Sequence, residues 1–273
     1  MTCKLSIIVP SIRPQNWRRF LESVQKSCTG YVCEVIFVGP FSYEGTLQDF
    51  PIARWIKRYD SVPVCLQIGC IEAKGELLFH TVDDGILLEN SLDNTLDYYY
   101  KMCEDQDIVN CRYRESPNFG GQEFPLQYWV AGSYPTHYGQ KYVNPHWNLS
   151  LQPLISKNLF IGLGGLDCSF EYSNHPHVDL SFRIQQNGGI VYHSPLDVST
   201  ADHGQNDHGP IQSAQEGIDA KRFNEMWNAD SAAERIYLNI MNHEPYQGMW
   251  KHRFKQEYKS YEEMCAGEGY VKT

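Results

Sequence analysis

Apolar positions along this chain fall into short runs separated by amphipathic stretches, the rhythm of alternating strands and helices. Lys4-Leu5-Ser6-Ile7-Ile8-Val9-Pro10 is a β-rich run closed by proline and predicts a first strand. After the turn Ser11-Ile12-Arg13-Pro14, the residues Trp17, Phe20, Leu21 and Val24 share one helical face behind Asn16 as a cap. Residues 33–38, closed by Gly39-Pro40, predict a second strand. Residues 52–58 are expected to form a short helix, residues 62–68 a third strand, and residues 69–74 a brief helix.

The chain is organised around Gly75-Glu76-Leu77-Leu78-Phe79-His80-Thr81-Val82-Asp83-Asp84-Gly85, a short apolar run ending in two carboxylates. Such a run between helical segments predicts a strand covered on both faces of a largely parallel sheet. In open α/β sheets ligands bind beyond the carboxyl ends of such strands, so Asp83 and Asp84 are expected at the lip of a crevice. Adjacent acids repel unless a cation intervenes, and Mg²⁺ or Mn²⁺ suits oxygen ligands. A solvated Asp-Gly turn is the plain alternative.

Farther on, Leu92, Leu96, Tyr99 and Met102 have helical spacing, and residues 107–113 predict another strand. Periodicity then dissolves over residues 115–147, which hold Phe119, Phe124, Tyr128, Trp129, Tyr134, Tyr138, Tyr142 and Trp147. A loop this long and aromatic either shapes a substrate site or packs into a satellite core. A returning strand over 149–155, a short helix over 156–161, a glycine-stopped helix with Asp179 at its start, and a last strand over 190–193 follow. Residues 213–273 read as mostly helical.

Composition narrows the function classes. The net charge of −10 over 273 residues argues against nucleic acid or an anionic membrane as the main partner. Nine cysteines without a Cys-x-x-Cys pair indicate neither a zinc ribbon nor a complete disulfide framework, and the thiols read as small buried residues of a reducing compartment. Neither a signal peptide nor an integral membrane segment is evident, so a cytoplasmic location is expected.

Several separated pieces together resemble one family. Leu5-Ser6-Ile7-Ile8-Val9-Pro10 before an amphipathic helix, Gly69-Cys70-Ile71-Glu72-Ala73-Lys74-Gly75-Glu76 leading to Asp83-Asp84, and Gly164-Gly165-Leu166-Asp167 with downstream Val178-Asp179-Leu180-Ser181-Phe182-Arg183 and Gly188-Gly189 resemble family-2-like glycosyltransferases of the GT-A fold. The combination is also similar to glycosyltransferase domains of large DNA viruses. The resemblance covers roughly residues 4–210. It implies a mixed, mainly parallel Rossmann-like sheet flanked by helices. It also implies a transferase domain over 1–212, with a nucleotide-sugar half (1–112) and an acceptor half (113–212), and a helical extension over 213–273.

The implied activity is metal-dependent transfer of a sugar from a nucleotide diphosphate donor to a hydroxyl of a glycan or glycoconjugate, with inversion. On the donor side the matching positions are Pro10, Ser11 and Arg13 for the nucleobase loop, Gly39 where relatives carry an acid, Gln67 in place of an Asn, Lys74 of the glycine-containing element, and Asp83 for the ribose. Asp84 matches the last acid of the metal motif, whose first acid falls on Val82. His208, with His203 as the alternative, would complete the metal site. The base is read as Asp179, the only acid of that element and one that a helix start keeps ionised, with Asp167 and His177 as alternatives since Pro176-His177 stands where relatives carry Glu-Asp. A carbohydrate-binding protein that kept the fold and lost catalysis is the non-enzymatic alternative. A sugar-nucleotide pyrophosphorylase is the enzymatic one, although Arg13 alone is a poor phosphate loop.

Overall fold

The computed structural model describes residues 2–116, 127–129, 141–144, 146–172, 174–202, 218–241 and 262–263. The first strand, β1 (Leu5–Pro10), is buried almost throughout, and alternate residues serve different cores. Leu5, Ile7 and Val9 face helix α1 (Trp17–Ser27), whereas Ile8 faces the opposite side. Trp17, Phe20, Leu21 and Val24 form the buried face of α1, and Trp17 stacks on Phe37 at 4.1 Å between ring centroids. Asn16 occupies the cap position but its side chain makes no capping bond.

β1 pairs in parallel with β2 (Cys33–Gly39), and β2 in parallel with β3 (Ala53–Lys57). Helix α2 (Glu44–Asp49) lies between these last two strands in the chain. Here the sequence expectation is corrected: residues 52–58 give a strand, β3, where a helix was expected. The following apolar run is corrected the other way, since Val62–Glu72 is one helix, α3, where residues 62–68 predict a strand. The Ser61 hydroxyl accepts from Val64 N and Pro63 sits in the first turn, both helix-start devices. The helix is apolar all round because it is covered by the sheet on one side and by chain from the second half on the other.

The chain then enters β4 (Leu77–His80), which pairs in parallel with β1 on its other edge. Past the acid loop come β5 (Gly85–Leu87), α4 (Ser91–Met102), β6 (Ile108–Ser116) and β7 (Gln127–Trp129). After these follow β8 (Pro153–Ser156), α5 (Lys157–Gly162), α6 (Asn174–Gln186), β9 (Val191–Asp202) and α7 (Ala220–Asn228). The sheet order is β3-β2-β1-β4-β8-β6-β9-β5, with β7 on β6. The β3-β2-β1-β4 half is parallel with helices on both faces, and β8 joins it antiparallel. The architecture is mixed α/β and Rossmann-like.

Some boundaries move. α6 begins at Asn174, so Asp179 sits inside the helix, away from its start. Within residues 213–273 the described parts include α7, a 3-10 turn at Asp230–Glu234, an irregular stretch to Met241, and two helical residues at 262–263. α7 carries Phe223 and Trp227 into a satellite core with Phe170, Val178 and Phe182, and Tyr142 and Trp147 pack there too. Tyr142 and Trp147 of the long loop therefore help fill a core, Tyr128 and Trp129 lie on β7, and Phe119, Phe124, Tyr134 and Tyr138 lie outside the described residues. Eight cysteines are described, all free thiols, and Cys28, Cys65, Cys70, Cys111 and Cys168 are buried.

Candidate functional site

After β1 the chain crosses through α1 to β2 and β3, then returns by α3 to β4 on the other side of β1. The carboxyl ends of β1 and β4 thus flank a topological switch point, where the connecting loops diverge. Residues 11–13 leave β1 there, and Asp83 and Asp84 follow β4 there. Gly39, at the end of β2, is required by close approach: a Cβ at that position would lie 1.7 Å from the Ser11 carbonyl oxygen. Pro10, Ser11, Arg13, Gly39, Asp83 and Asp84 are therefore brought together at one sheet edge.

The loops are locked by Asp83, which is 2% exposed. One carboxylate oxygen accepts from Ser11 Oγ at 2.9 Å, Ile12 N at 3.0 Å and Arg13 N at 3.0 Å. The other accepts from Arg13 Nε at 2.9 Å and from Arg13 Nη2. Trp17 Nε1 donates to Ser11 Oγ at 2.7 Å, so the indole, hydroxyl and carboxylate form a chain. Arg13 Nη2 also lies 3.0 Å from Asp84 Oδ2. The repulsion between adjacent acids is thus relieved by a guanidinium. These donors occupy the acceptor capacity of Asp83, so its visible work is to hold the loop at residues 11–13.

A divalent cation needs oxygen ligands, and Mg²⁺-like sites take one or two carboxylates with the rest from phosphates and water. Asp84 fits that role as a single protein carboxylate. Among the described residues no three of His, Cys, Asp and Glu gather as a metal-holding group. His203 and His208 lie outside the described residues.

Two expected donor-side residues stand elsewhere. Lys74 precedes β4, at the opposite end of the strand from Asp83, with an exposed side chain and its backbone N–H on Glu34 Oε1 at 2.6 Å. Gln67 is wholly buried in α3: its oxygen accepts from Leu166 N at 2.9 Å, and its amide donates to Ile240 O at 2.9 Å and Gly164 O at 3.3 Å. It clamps the glycine turn, and Gly165, at φ +69°, is needed because a Cβ would meet Gln67 Oε1 at 2.2 Å.

Asp179 is also an anchor. It is 0% exposed and accepts from Arg183 Nε at 2.8 Å, Arg235 Nε at 2.8 Å and Trp227 Nε1 at 3.1 Å. Burial alone would raise its pKa, but the charges of Arg235 and Arg183 outweigh that and hold it below the usual range. Arg183 continues to the carbonyls of Leu163 and Gly165. Asp167 accepts from Arg235 Nη2 at 2.5 Å and from Ser169 N at 2.9 Å. Asp179 therefore ties α6, the glycine turn and the C-terminal segment together, which corrects the expectation that a helix start keeps it ionised.

His177 points to a different neighbourhood: its Nε2 lies 3.0 Å from Nδ1 of His80, the last residue of β4, which leads into the acid loop. Sequence reasoning missed His80, Arg235, Trp227 and Asp219. Asp219 accepts from Glu171 N at 3.0 Å and Tyr172 N at 2.9 Å, and burial, reinforced by the charges of Glu171 and Asp167, pushes its pKa up to about 7. The histidine closing the apolar run Leu77–His80 was a visible signal; Arg235 had none. No protein-family model matches the chain, and no curated protein matches it either.

Proposed function

We propose that this protein is a glycosyltransferase moving a sugar from a nucleotide diphosphate donor to a hydroxyl of a glycan or glycoconjugate, with inversion at the anomeric carbon. The observation that carries the reading is the meeting of residues 10–13, Gly39 and Asp83-Asp84 at the switch point of the β1/β4 edge, held as one unit by Arg13. In this reading the loop at 10–13 receives the nucleoside and Asp84 holds a Mn²⁺ or Mg²⁺ ion beside the diphosphate. That ion, when bound, supplies Lewis-acid stabilisation of the departing phosphate charge.

The base is assigned to His177 in place of Asp179. Asp179 is enclosed by its donors, and Asp167 is paired with Arg235, whereas His177, on α6, meets His80 at the end of the strand that delivers the acid loop. In the transfer the acceptor hydroxyl gives its proton to the imidazole as its oxygen bonds to the anomeric carbon. The bond from that carbon to the diphosphate oxygen breaks, and the nucleoside diphosphate leaves with the electron pair.

One observation favours a second reading, a sugar-binding protein without catalysis: Arg13 already spreads its charge over both acids. A thermal-shift panel of nucleotide sugars and nucleoside diphosphates, with and without Mn²⁺, separates the two when paired with detection of released nucleoside diphosphate. A donor at about 100 times its Kd stabilises the native state by about 2.7 kcal/mol, an easily read rise in melting temperature. The transferase reading expects a Mn²⁺-dependent shift that Asp84→Asn abolishes, and nucleoside diphosphate release by wild type. A shift without release selects the binding protein, and the absence of any donor shift overturns both.

A further inference from the structure

Partway along their length β6 and β9 lose register. Asn110 lies opposite His193 but Arg112 lies opposite Asp197, so two steps on β6 match four on β9 and residues 194–196 bulge from the sheet. The Ser194 hydroxyl fixes the bulge, accepting from Arg112 N at 2.9 Å and donating to Leu196 O at 2.8 Å. Leu196 is left 60% exposed. Beside the bulge is a cavity of about 310 Å³, at the small end of the roughly 300–1,000 Å³ found for small-ligand sites. Leu88 and Leu196 give it an apolar lining, and Asn94 of α4 with Glu89, Arg112, Arg114 and Asp197 a polar one. Asp197 serves both guanidiniums: Arg114 Nε donates to its Oδ2 at 2.5 Å, and Arg112 Nη2 lies 3.1 Å from its Oδ1. The second contact is an ion pair without a hydrogen bond. Oδ1 of Asp197 and Nε of Arg112 are both buried and, among the described residues, neither has a hydrogen-bond partner.

An unmatched donor and an unmatched acceptor on paired side chains call for a partner that can do both. An inorganic anion offers acceptors only and leaves Asp197 Oδ1 unmet, whereas a hydroxyl donates and accepts. The fixed charges agree: two guanidiniums are balanced by two carboxylates, Asp197 and the exposed Glu89, so the lining has no excess charge to attract an ion. Hydroxyls on a compact ring with an apolar C–H face fit such a lining. We propose that this cavity is a binding site for one neutral sugar unit. Arg112, with 28% of its side chain exposed, swings its guanidinium to bring Nε and Asp197 Oδ1 to a bound hydroxyl. The site is distinct from the donor edge. Gly85, next to Asp84, pairs with Ala201, which is four residues from Asp197, or about 13 Å along β9. Holding a glycan by a unit other than the one that reacts is its purpose, which rests on the transferase reading; the binding itself does not.

The test is a titration of the ¹⁵N-labelled full chain, without nucleotide or metal, with the methyl glycosides of glucose, galactose, mannose and N-acetylglucosamine, and separately with inorganic phosphate. At least one neutral glycoside is expected to give saturable shifts at Glu89, Asn94 and Leu196 and at the Arg112 Nε–H, identified by its loss in Arg112→Gln. Phosphate should leave these signals in place. Asn94→Ala, at an exposed helix position, removes a hydrogen-bonding amide and should raise Kd about fivefold. Arg112→Gln should raise it about 10-fold or more. Should Arg112→Gln not fold, Asn94→Ala decides. No shift with any of the glycosides overturns the proposal, and an unchanged Kd in Asn94→Ala does the same by placing the sugar elsewhere. Equal shifts with phosphate make the cavity an anion site and also overturn it. Glycoside binding here in a protein that transfers sugar from no donor defeats the transferase reading alone. Transfer without glycoside binding here defeats this site alone.

Discussion

Among the described residues, the carboxylate–arginine clusters at Asp83 and at Asp179 are wired in opposite ways. At the β1/β4 edge, Asp83 draws its donors from one short stretch, residues 11–13, so a single carboxylate dictates the path of a single loop. Beneath α6, Asp179 draws its donors from Arg183, Trp227 and Arg235, three side chains spread over α6, α7 and the chain beyond it. The first cluster shapes the loop that leaves the carboxyl end of β1; the second holds segments together. Motif matching treats both acids as candidate chemistry. The donors of Asp179 show that a carboxylate enclosed by an arginine pair and an indole is an anchor.

The comparison breaks most sharply at Asp179. Asp179→Asn leaves Arg183, itself 0% exposed, without its charge partner, and should cost about 3–5 kcal/mol in urea unfolding. A loss near zero would mean that the cluster holds nothing. The pH dependence is fixed in sign. The folded pKa of Asp179 is depressed, so its contribution is present above the unfolded carboxyl value and is lost as pH falls through the folded one. The difference between wild type and variant should therefore be constant at neutral pH and shrink only below about pH 4.

Asp219 should show the reverse slope. Its pKa is raised to about 7 by burial, with the charges of Glu171 and Asp167 adding to it. The folded state then keeps a proton that the unfolded chain releases near pH 4, so stability falls as pH rises from about 4 to about 7. At about 1.4 kcal/mol per pKa unit the ceiling is roughly 4 kcal/mol. Asp219→Asn keeps an oxygen for Glu171 N and Tyr172 N and carries no charge, so its stability should be flatter over that window. Equal slopes for the two proteins would remove Asp219 as the cause. Opposite slopes at Asp179 and Asp219 would separate an acid matched by arginines from one matched by backbone N–H groups alone.

The two clusters also differ in how far they could be read from sequence. The run ending in Asp83-Asp84 announced a strand end, and the proline-closed run of β1 announced its neighbour, so the edge was legible as a place. The Arg13 bridge was not, because nothing local in Ile12-Arg13-Pro14 says which distant acid it meets. The stretch at 62–68 was misread because a helix buried on all sides loses its polar stripe, leaving Val62, Val64 and Ile68 to suggest a strand. Ser61 and Pro63 carried the correct signal. Asp179 was legible as part of a helix but not as enclosed, since Trp227 and Arg235 come from a region with no motif of its own.

The smallest expected effect asks whether the donor edge is as redundant as its geometry implies. Ser11 Oγ accepts from the buried Trp17 indole and donates to Asp83, so Ser11→Ala strands one N–H and removes one of several donors. Asp83 keeps Ile12 N, Arg13 N and the guanidinium, which hold the loop. The expected cost is about 1–2 kcal/mol, mostly for the unsatisfied indole. The donor-induced thermal shift should survive, because the Ser11 hydroxyl is already engaged within the protein. A loss comparable with that of Asp179→Asn would show that the edge depends on each donor. A normal melting temperature with no donor shift would instead place the Ser11 hydroxyl on the ligand, making the loop a reader of the nucleotide rather than a frame set by Asp83.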